Sequence, residues 1–120
     1  MTIFYSDSRK ALVYVKSEAS PEYWDAQWEE VSETISYSKG EKSREVLEIT
    51  RRYLPQSKAR VLEGGCGNAG TVLALAKAGY QATGIDFAPK TVEKINRSFP
   101  DLDVRLGDVR KLDLQDQSFD

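Results

Sequence analysis

The chain reads as an α/β domain built on a parallel sheet, and three observations point there. The first is Ala59-Arg60-Val61-Leu62-Glu63-Gly64-Gly65-Cys66-Gly67-Asn68-Ala69-Gly70, a strand that runs into a glycine-rich turn and opens a helix. The second is Tyr80 to Ile85, another strand, carrying Asp86 at its tip. The third is the alternation of strand and helix from Ala59 to Leu106, whose spacing suits right-handed crossovers between parallel neighbours. The expected architecture is a parallel three-stranded half-sheet of order 3-2-1, with helices on both faces and an N-terminal helical cap.

The elements follow in order. Ile3-Tyr5 and Ala11-Val15 alternate as short strands around the polar turn Ser6 to Lys10, which predicts a hairpin. Ser20 suits an N-cap and Pro21 a first helical position, with Tyr23, Trp24, Gln27, Trp28 and Val31 following at helical spacing. Ser36 to Gly40 reads as a polar connector. A helix from about Glu41 to Tyr53 carries Val46, Leu47, Ile49, Thr50, Tyr53 and Leu54 as one apolar stripe, and Pro55 ends it. Beyond the first core strand, Thr71 to Ala78 is a helix closed by Gly79. Pro89 opens the next, with Val92 and Ile95 facing inward and Pro100 beyond its end. Asp103 to Leu106 is the third core strand, and Ser118-Phe119-Asp120 reads as the lead-in to a fourth. On this reading residues 1–20 are an extended segment or hairpin, and residues 21–120 are the N-terminal part of a larger domain cut before its fourth strand.

Composition removes several classes of function. In 120 residues, 17 basic and 19 acidic side chains leave a formal charge of −2, without the basic patch that nucleic-acid binding requires. One cysteine and no histidine exclude an internal disulfide and a Cys/His zinc site, so no metal is expected. A lone thiol suits a reducing compartment, no apolar run is long enough for a bilayer, and the first twenty residues lack a signal-peptide core. A cytoplasmic protein without a membrane partner is expected.

The chemistry lies in the glycine turn. Gly65-Cys66-Gly67-Asn68-Ala69-Gly70 matches G-x-G-x-x-G, which supports a nucleoside-cofactor site when it joins a strand to a helix. A plain tight turn would use the same glycines, but Asp86 at the next strand end adds a ribose acceptor. Glu63 then separates the cofactors. It precedes the glycines at the strand's carboxyl end, where a diphosphate would meet a carboxylate at close range. A cofactor that carries positive charge would be favoured there. Cys66 has no histidine to act as its base, so it fills the turn and is no nucleophile. Tyr23, Trp24 and Trp28 suit the buried face of an amphipathic helix as well as a substrate or cofactor cover.

These pieces together resemble the class I S-adenosylmethionine-dependent methyltransferases. Val61 to Gly70 is similar to the family's first motif, Gly84-Ile85-Asp86-Phe87-Ala88 to its second-strand end, and Gly107-Asp108-Val109 with Leu112 and Asp116 to Asp120 to its third-strand loop. Pro21-Glu22-Tyr23-Trp24-Asp25 with Trp28 resembles an aromatic entry helix of its small-molecule members. The resemblance covers about residues 21 to 120. It implies a Rossmann-like methyltransferase half-sheet with S-adenosylmethionine held by Glu63, Gly64, Gly65, Cys66, Gly67, Asp86, Phe87, Asp108 and Val109. In that set Gly65 and Gly67 approach the methionine part, Asp86 takes both ribose hydroxyls, Phe87 lies against adenine, and Asp108 with the Val109 N–H reads its amino edge. Many members have glycine where Ala69 stands; alanine there calls for ordinary backbone dihedrals.

The function implied is methyl transfer to a small-molecule acceptor, with no catalytic residue assigned within these 120 positions. Two alternatives stay open: a nicotinamide- or flavin-linked oxidoreductase half-domain, and a non-enzymatic binding or assembly module. If the fourth strand is missing, Arg60-Val61-Leu62-Glu63 presents an open hydrophobic edge, and self-association is expected through it.

Overall fold

The computed structural model describes residues 2–15, 19–29 and 34–120. Strands β1 (Thr2–Ser6) and β2 (Ala11–Val15) pair antiparallel with Ser6 opposite Ala11, as the alternation predicts. Lys10 takes a φ of 50° to close the turn. Ile3, Phe4, Tyr5, Leu12 and Tyr14 remain at least half exposed on this hairpin.

Helix α1 (Pro21–Glu29) starts as expected: Ser20 Oγ accepts the Tyr23 N–H at 3.2 Å, and Ser20 O accepts that of Trp24 at 3.2 Å. Val31, read as part of its stripe, lies outside the described residues. The polar connector is in part a short helix, α2 (Thr34–Ser38). Its polar side chains find internal partners, which is why an apolar pattern gives no sign of it. Ser38 Oγ donates to Ile35 O at 2.7 Å, and Thr34 Oγ1 donates to Asn68 O at 2.7 Å.

Helix α3 (Glu41–Tyr53) has the expected bounds but not the expected stripe. Val46, Ile49 and Tyr53 are exposed, while Leu47 and Leu54 pack against the core. The buried face follows Ser43, Leu47, Thr50 and Leu54, which recur at helical spacing; Ser43 is fully buried. Two hydroxyls define this face. Ser43 Oγ lies 3.1 Å from Thr71 Oγ1 and donates to Tyr37 O at 3.0 Å, so a hydrogen-bonded pair joins α3 to α4.

The rest is the predicted alternation: β3 (Arg60–Gly64), α4 (Gly70–Lys77), β4 (Gln81–Asp86), α5 (Pro89–Ser98) and β5 (Asp103–Leu106). The strands are parallel in the order β3-β4-β5, with Val61 beside Ala82 and Thr83 beside Asp103. Val72, Leu75, Ala82, Val92, Ile95, Leu102 and Val104 form the core. One expectation changes. Strands that step in a single direction, joined by right-handed crossovers, place α4 and α5 on the same face of the sheet, with α3 packed against α4. The opposite face, at Thr83, Asp103 and Arg105, is met by the tail from Asp113 to Phe119.

The edge of β3 is also less open than expected. The Asp120 N–H donates to Arg60 O at 2.9 Å, and the Asp120 carboxylate accepts the Arg60 N–H and guanidinium at 2.9 Å. That pairing holds the Asp120 carboxyl down at about 2.

Candidate functional site

Parallel pairing brings the strand ends together. It sets Glu63 beside Gly84, Gly64 beside Ile85 and Asp86 beside Leu106, and the Gly107 N–H donates to Asp86 O at 2.9 Å. From there the chain crosses back over β3: a methyl group on Gly64 would lie 2.9 Å from Val109 Cγ1. Glu63, Gly64, Gly65, Cys66, Gly67, Asp86, Phe87, Asp108 and Val109 therefore share one end of the sheet, the end where parallel α/β sheets hold ligands.

The glycine turn is wound onto β4. Gly65 and Gly67 have φ of 68° and 53°, values that glycine adopts without strain. Ala69 has φ 60° and ψ 21°, so the alanine sits in the left-handed region and not at the ordinary dihedrals expected for it. It is fully buried, and the packing around it holds it there. Five amides of the turn are already engaged. Gly65 and Cys66 N–H donate to Ile85 O at 2.7 and 3.0 Å, and Gly67 N–H donates to Asp86 Oδ2 at 2.8 Å. Ala69 N–H donates to Cys66 O at 2.9 Å, and Gly70 N–H to Asn68 Oδ1 at 3.1 Å. A dinucleotide site turns such amides toward the diphosphate; here they face the protein.

Three ionisable groups crowd this turn. Asp86 is 6% exposed, and its second oxygen accepts the Ala88 N–H at 3.0 Å, so it braces the turn from both sides. Glu63 is half-buried, and its Oε2 is enclosed with no hydrogen-bond partner. Burial, helped by the nearby Asp86 charge, pushes its carboxyl up to about 7. Burial likewise pushes the Cys66 thiol up to about 12, beside Asp86 and Glu63. That agrees with a space-filling role: Cys66 Sγ would lie 2.8 Å from a methyl group on Gly84. Two buried side-chain atoms at this end lack a partner: Glu63 Oε2, which awaits a cation or a hydrogen-bond donor, and Asn68 Nδ2, which awaits an acceptor.

Comparison with known proteins places this geometry. The sequence model of the methyltransferase domain family matches residues 61–120, half of the chain. The chain belongs to the methyltransferase domain family. No curated protein matches it in sequence. Among solved structures, a protein from Pyrococcus horikoshii OT3 superposes with a TM-score of 0.58 at 24% identity, over 78% of this chain and 48% of its own. A Methanococcus maripaludis protein assigned to the S-adenosyl-L-methionine-dependent methyltransferases gives 0.59 at 14% identity, over 88% and 49%. An amino pentose methyltransferase of calicheamicin biosynthesis from Micromonospora echinaspora, solved with S-adenosylmethionine bound, gives 0.54 at 20% identity, over 84% and 40%. These likenesses establish the fold, and the chain spans about half the length of each structure or less.

In this methyltransferase domain the third-strand loop holds a contact that the sequence did not suggest. Asp108 Oδ1 accepts the Arg110 N–H and Nε at 2.9 Å each, and Oδ2 accepts Nη2 at 2.6 Å. The guanidinium holds the Asp108 carboxyl down at about 2. Its Cζ also lies over the Phe87 ring, 5.9 Å from the centre.

Two helices of the methyltransferase domain cover the turn. A Cβ on Gly67 would overlap the Trp28 indole of α1, and one on Gly70 would overlap the Tyr37 ring of α2. Helix α5 has no capping side chain of its own at Ala88. Asp25 of α1 supplies one: its Oδ1 accepts the Thr91 N–H at 2.9 Å and the Thr91 hydroxyl at 3.0 Å, and its Oδ2 accepts the Lys90 N–H at 3.3 Å. The carboxylate also meets the positive end of the helix dipole. Asp25, Thr34, Tyr37 and Arg110 went unassigned from sequence because each acts on a partner distant in the chain or outside a motif. The largest cavity among those described, about 910 Å³, lies between α1, α2 and α5; of the turn it reaches Asn68 alone, and it includes none of the predicted site residues. Among the described residues, no cluster of three or more His, Cys, Asp or Glu could hold a metal, and no helix is long and apolar enough to cross a membrane.

Proposed function

We propose that this chain is the cofactor-binding part of an S-adenosylmethionine-dependent methyltransferase that acts on a small-molecule acceptor. One observation carries the reading: Glu63 Oε2 is enclosed and without a partner, beside a turn whose amides face inward. That combination suits an ammonium or sulfonium and would set a buried carboxylate against a diphosphate. It weighs against the nicotinamide or flavin alternative.

The residues present fit the cofactor. Glu63 takes the positively charged amino-acid end, with Gly65 open for close approach and Gly64, Cys66 and Gly67 shaping the turn beneath Val109 and Trp28. Asp86 uses two of about four acceptor sites on backbone amides and keeps the others for ribose hydroxyls. Phe87 offers a stacking face, and Asp108 with the Val109 N–H accepts and donates at the adenine edge. When bound, the cofactor supplies a methyl group activated by a sulfonium. The chain's own share is to bind, orient and exclude water, with Trp28 and Tyr37 sheltering the turn. Glu63 must be ionised to hold an ammonium, so its proton leaves as the cofactor arrives.

In this reading residues 21–120 belong to the methyltransferase domain, and residues 1–20 are an appended segment that carries the hairpin of β1 and β2. The enzyme works in the cytoplasm, which the single buried thiol supports. The stretch of β3 beyond Arg60 pairs with a second chain when residues 1–120 are produced alone; a monodisperse monomer in light scattering at high concentration would count against that. The cofactor assignment is tested by calorimetric titration. S-adenosylhomocysteine should bind and NADH should give no heat; the reverse would favour the oxidoreductase. Binding of neither would favour a non-enzymatic module.

A further inference from the structure

We propose that Arg110 sets the affinity of the adenine slot by occupying the place that adenine must take. The inference rests on the reading that Phe87 and Asp108 receive the adenine. Arg110 engages both of these residues with one side chain. Its N–H and Nε reach Asp108 Oδ1 at 2.9 Å, and Nε and Nη2 reach Oδ2 at 3.1 and 2.6 Å. These contacts come from three N–H groups, with Nε–H shared between both oxygens, and they engage both oxygens of Asp108 that an exocyclic amine would need. The same guanidinium sits over the Phe87 ring with Cζ 5.9 Å from its centre.

Adenine cannot enter between them as they stand. A ring in contact with Phe87 on one side and the guanidinium on the other needs about 7 Å, twice the usual contact distance. Arg110 must therefore withdraw, giving up at least the Oδ2 contacts. The exchange is shallow, because the Arg110 side chain is 79% exposed and an ion pair at the surface is held weakly. Its removal should change affinity by about fivefold, the upper end for such pairs. Both contacts lie at the adenine end, so the effect belongs to the nucleoside and not to the amino-acid end.

The test is calorimetric titration of S-adenosylhomocysteine and of adenosine into wild type, Arg110→Ala and Arg110→Lys. Arg110→Ala should bind both ligands about fivefold more tightly, by the same factor. Arg110→Lys keeps the charge without the planar fork and should fall between the other two. If wild type binds and Arg110→Ala binds equally or more weakly, Arg110 does not compete with adenine and the inference is overturned alone. If no variant binds either ligand, the cofactor reading fails and takes this inference with it.

Discussion

Glu63→Gln should make the free protein more stable and the cofactor site worse, and the two effects can be separated by pH. The Glu63 carboxyl titrates at about 7 in the folded chain against an ordinary 4.5. Each tenfold in proton affinity is about 1.4 kcal/mol, so full desolvation would destabilise the ionised form by about 3 kcal/mol. The side chain is half-buried and keeps some water, so about 2 kcal/mol is the working figure. The sign follows from a raised carboxyl. Below 4.5 both folded and unfolded chains hold the proton and no penalty exists. Between 4.5 and about 7 the unfolded chain loses its proton first, and stability falls as pH rises. Above that window the penalty is complete. Glutamine has the same shape without the charge, so the variant should match wild type near pH ~4 and exceed it by about 2 kcal/mol near pH ~8. Urea unfolding at both pH values measures this. Removing the carboxylate should also weaken S-adenosylhomocysteine by about 1.5–3 kcal/mol, the worth of a charge-assisted contact. A stability difference that ignores pH would show that Glu63 is not desolvated as described, and the argument for a cationic ligand would go with it.

Other expectations follow from the same geometry. Wild-type affinity for S-adenosylhomocysteine should fall as pH drops below about 7, approaching tenfold per pH unit; binding heats that do not depend on the buffer's ionisation enthalpy would contradict the proton release. Gly67→Ala should cost about 3 kcal/mol and red-shift tryptophan fluorescence, because the new methyl meets Trp28 at a φ of 53°. Gly65→Ala meets open space, should cost about 1 kcal/mol, and should leave the spectrum alone. Asp25→Ala should cost about 1–2 kcal/mol and speed amide exchange at Lys90 and Thr91; unchanged protection there would remove the capping role. Asp86→Ala strands the N–H groups of Gly67 and Ala88, so about 2–3 kcal/mol of stability and all cofactor binding should be lost; intact affinity would refute the ribose assignment.

The strand order and the turn from Glu63 to Gly70 were legible because they depend on local requirements. Glycines at positive φ, prolines at helix starts and short apolar strands each leave a mark within a few residues. The assembly of Glu63, Asp86 and Asp108 was legible for a related reason: parallel strands of known order align their carboxyl ends. What was hidden depended on distance or on polar packing. Helix α2 and the inner face of α3 turn on Ser43, Thr71 and Tyr37, whose buried hydrogen bonds an apolar count cannot see. Asp25 acts on backbone 65 and 66 residues later in the chain, which no local pattern encodes. Arg110 was missed because the resemblance assigns Phe87 and Asp108 to a ligand and gives no place to the side chain that contacts both.

The two attachments of α1 make it more than a lid at rest. Trp28 bears on Gly67 and Asp25 on the start of α5, so the helix grips the crevice at the exits of two successive strands. On the proposed cofactor reading, seating of this helix and tenancy of the crevice form a single thermodynamic cycle, and whatever free energy one lends the other is returned in equal measure. With Trp24 replaced by phenylalanine, the indole of Trp28 becomes an intrinsic optical gauge of that cycle, readable in solution without any label.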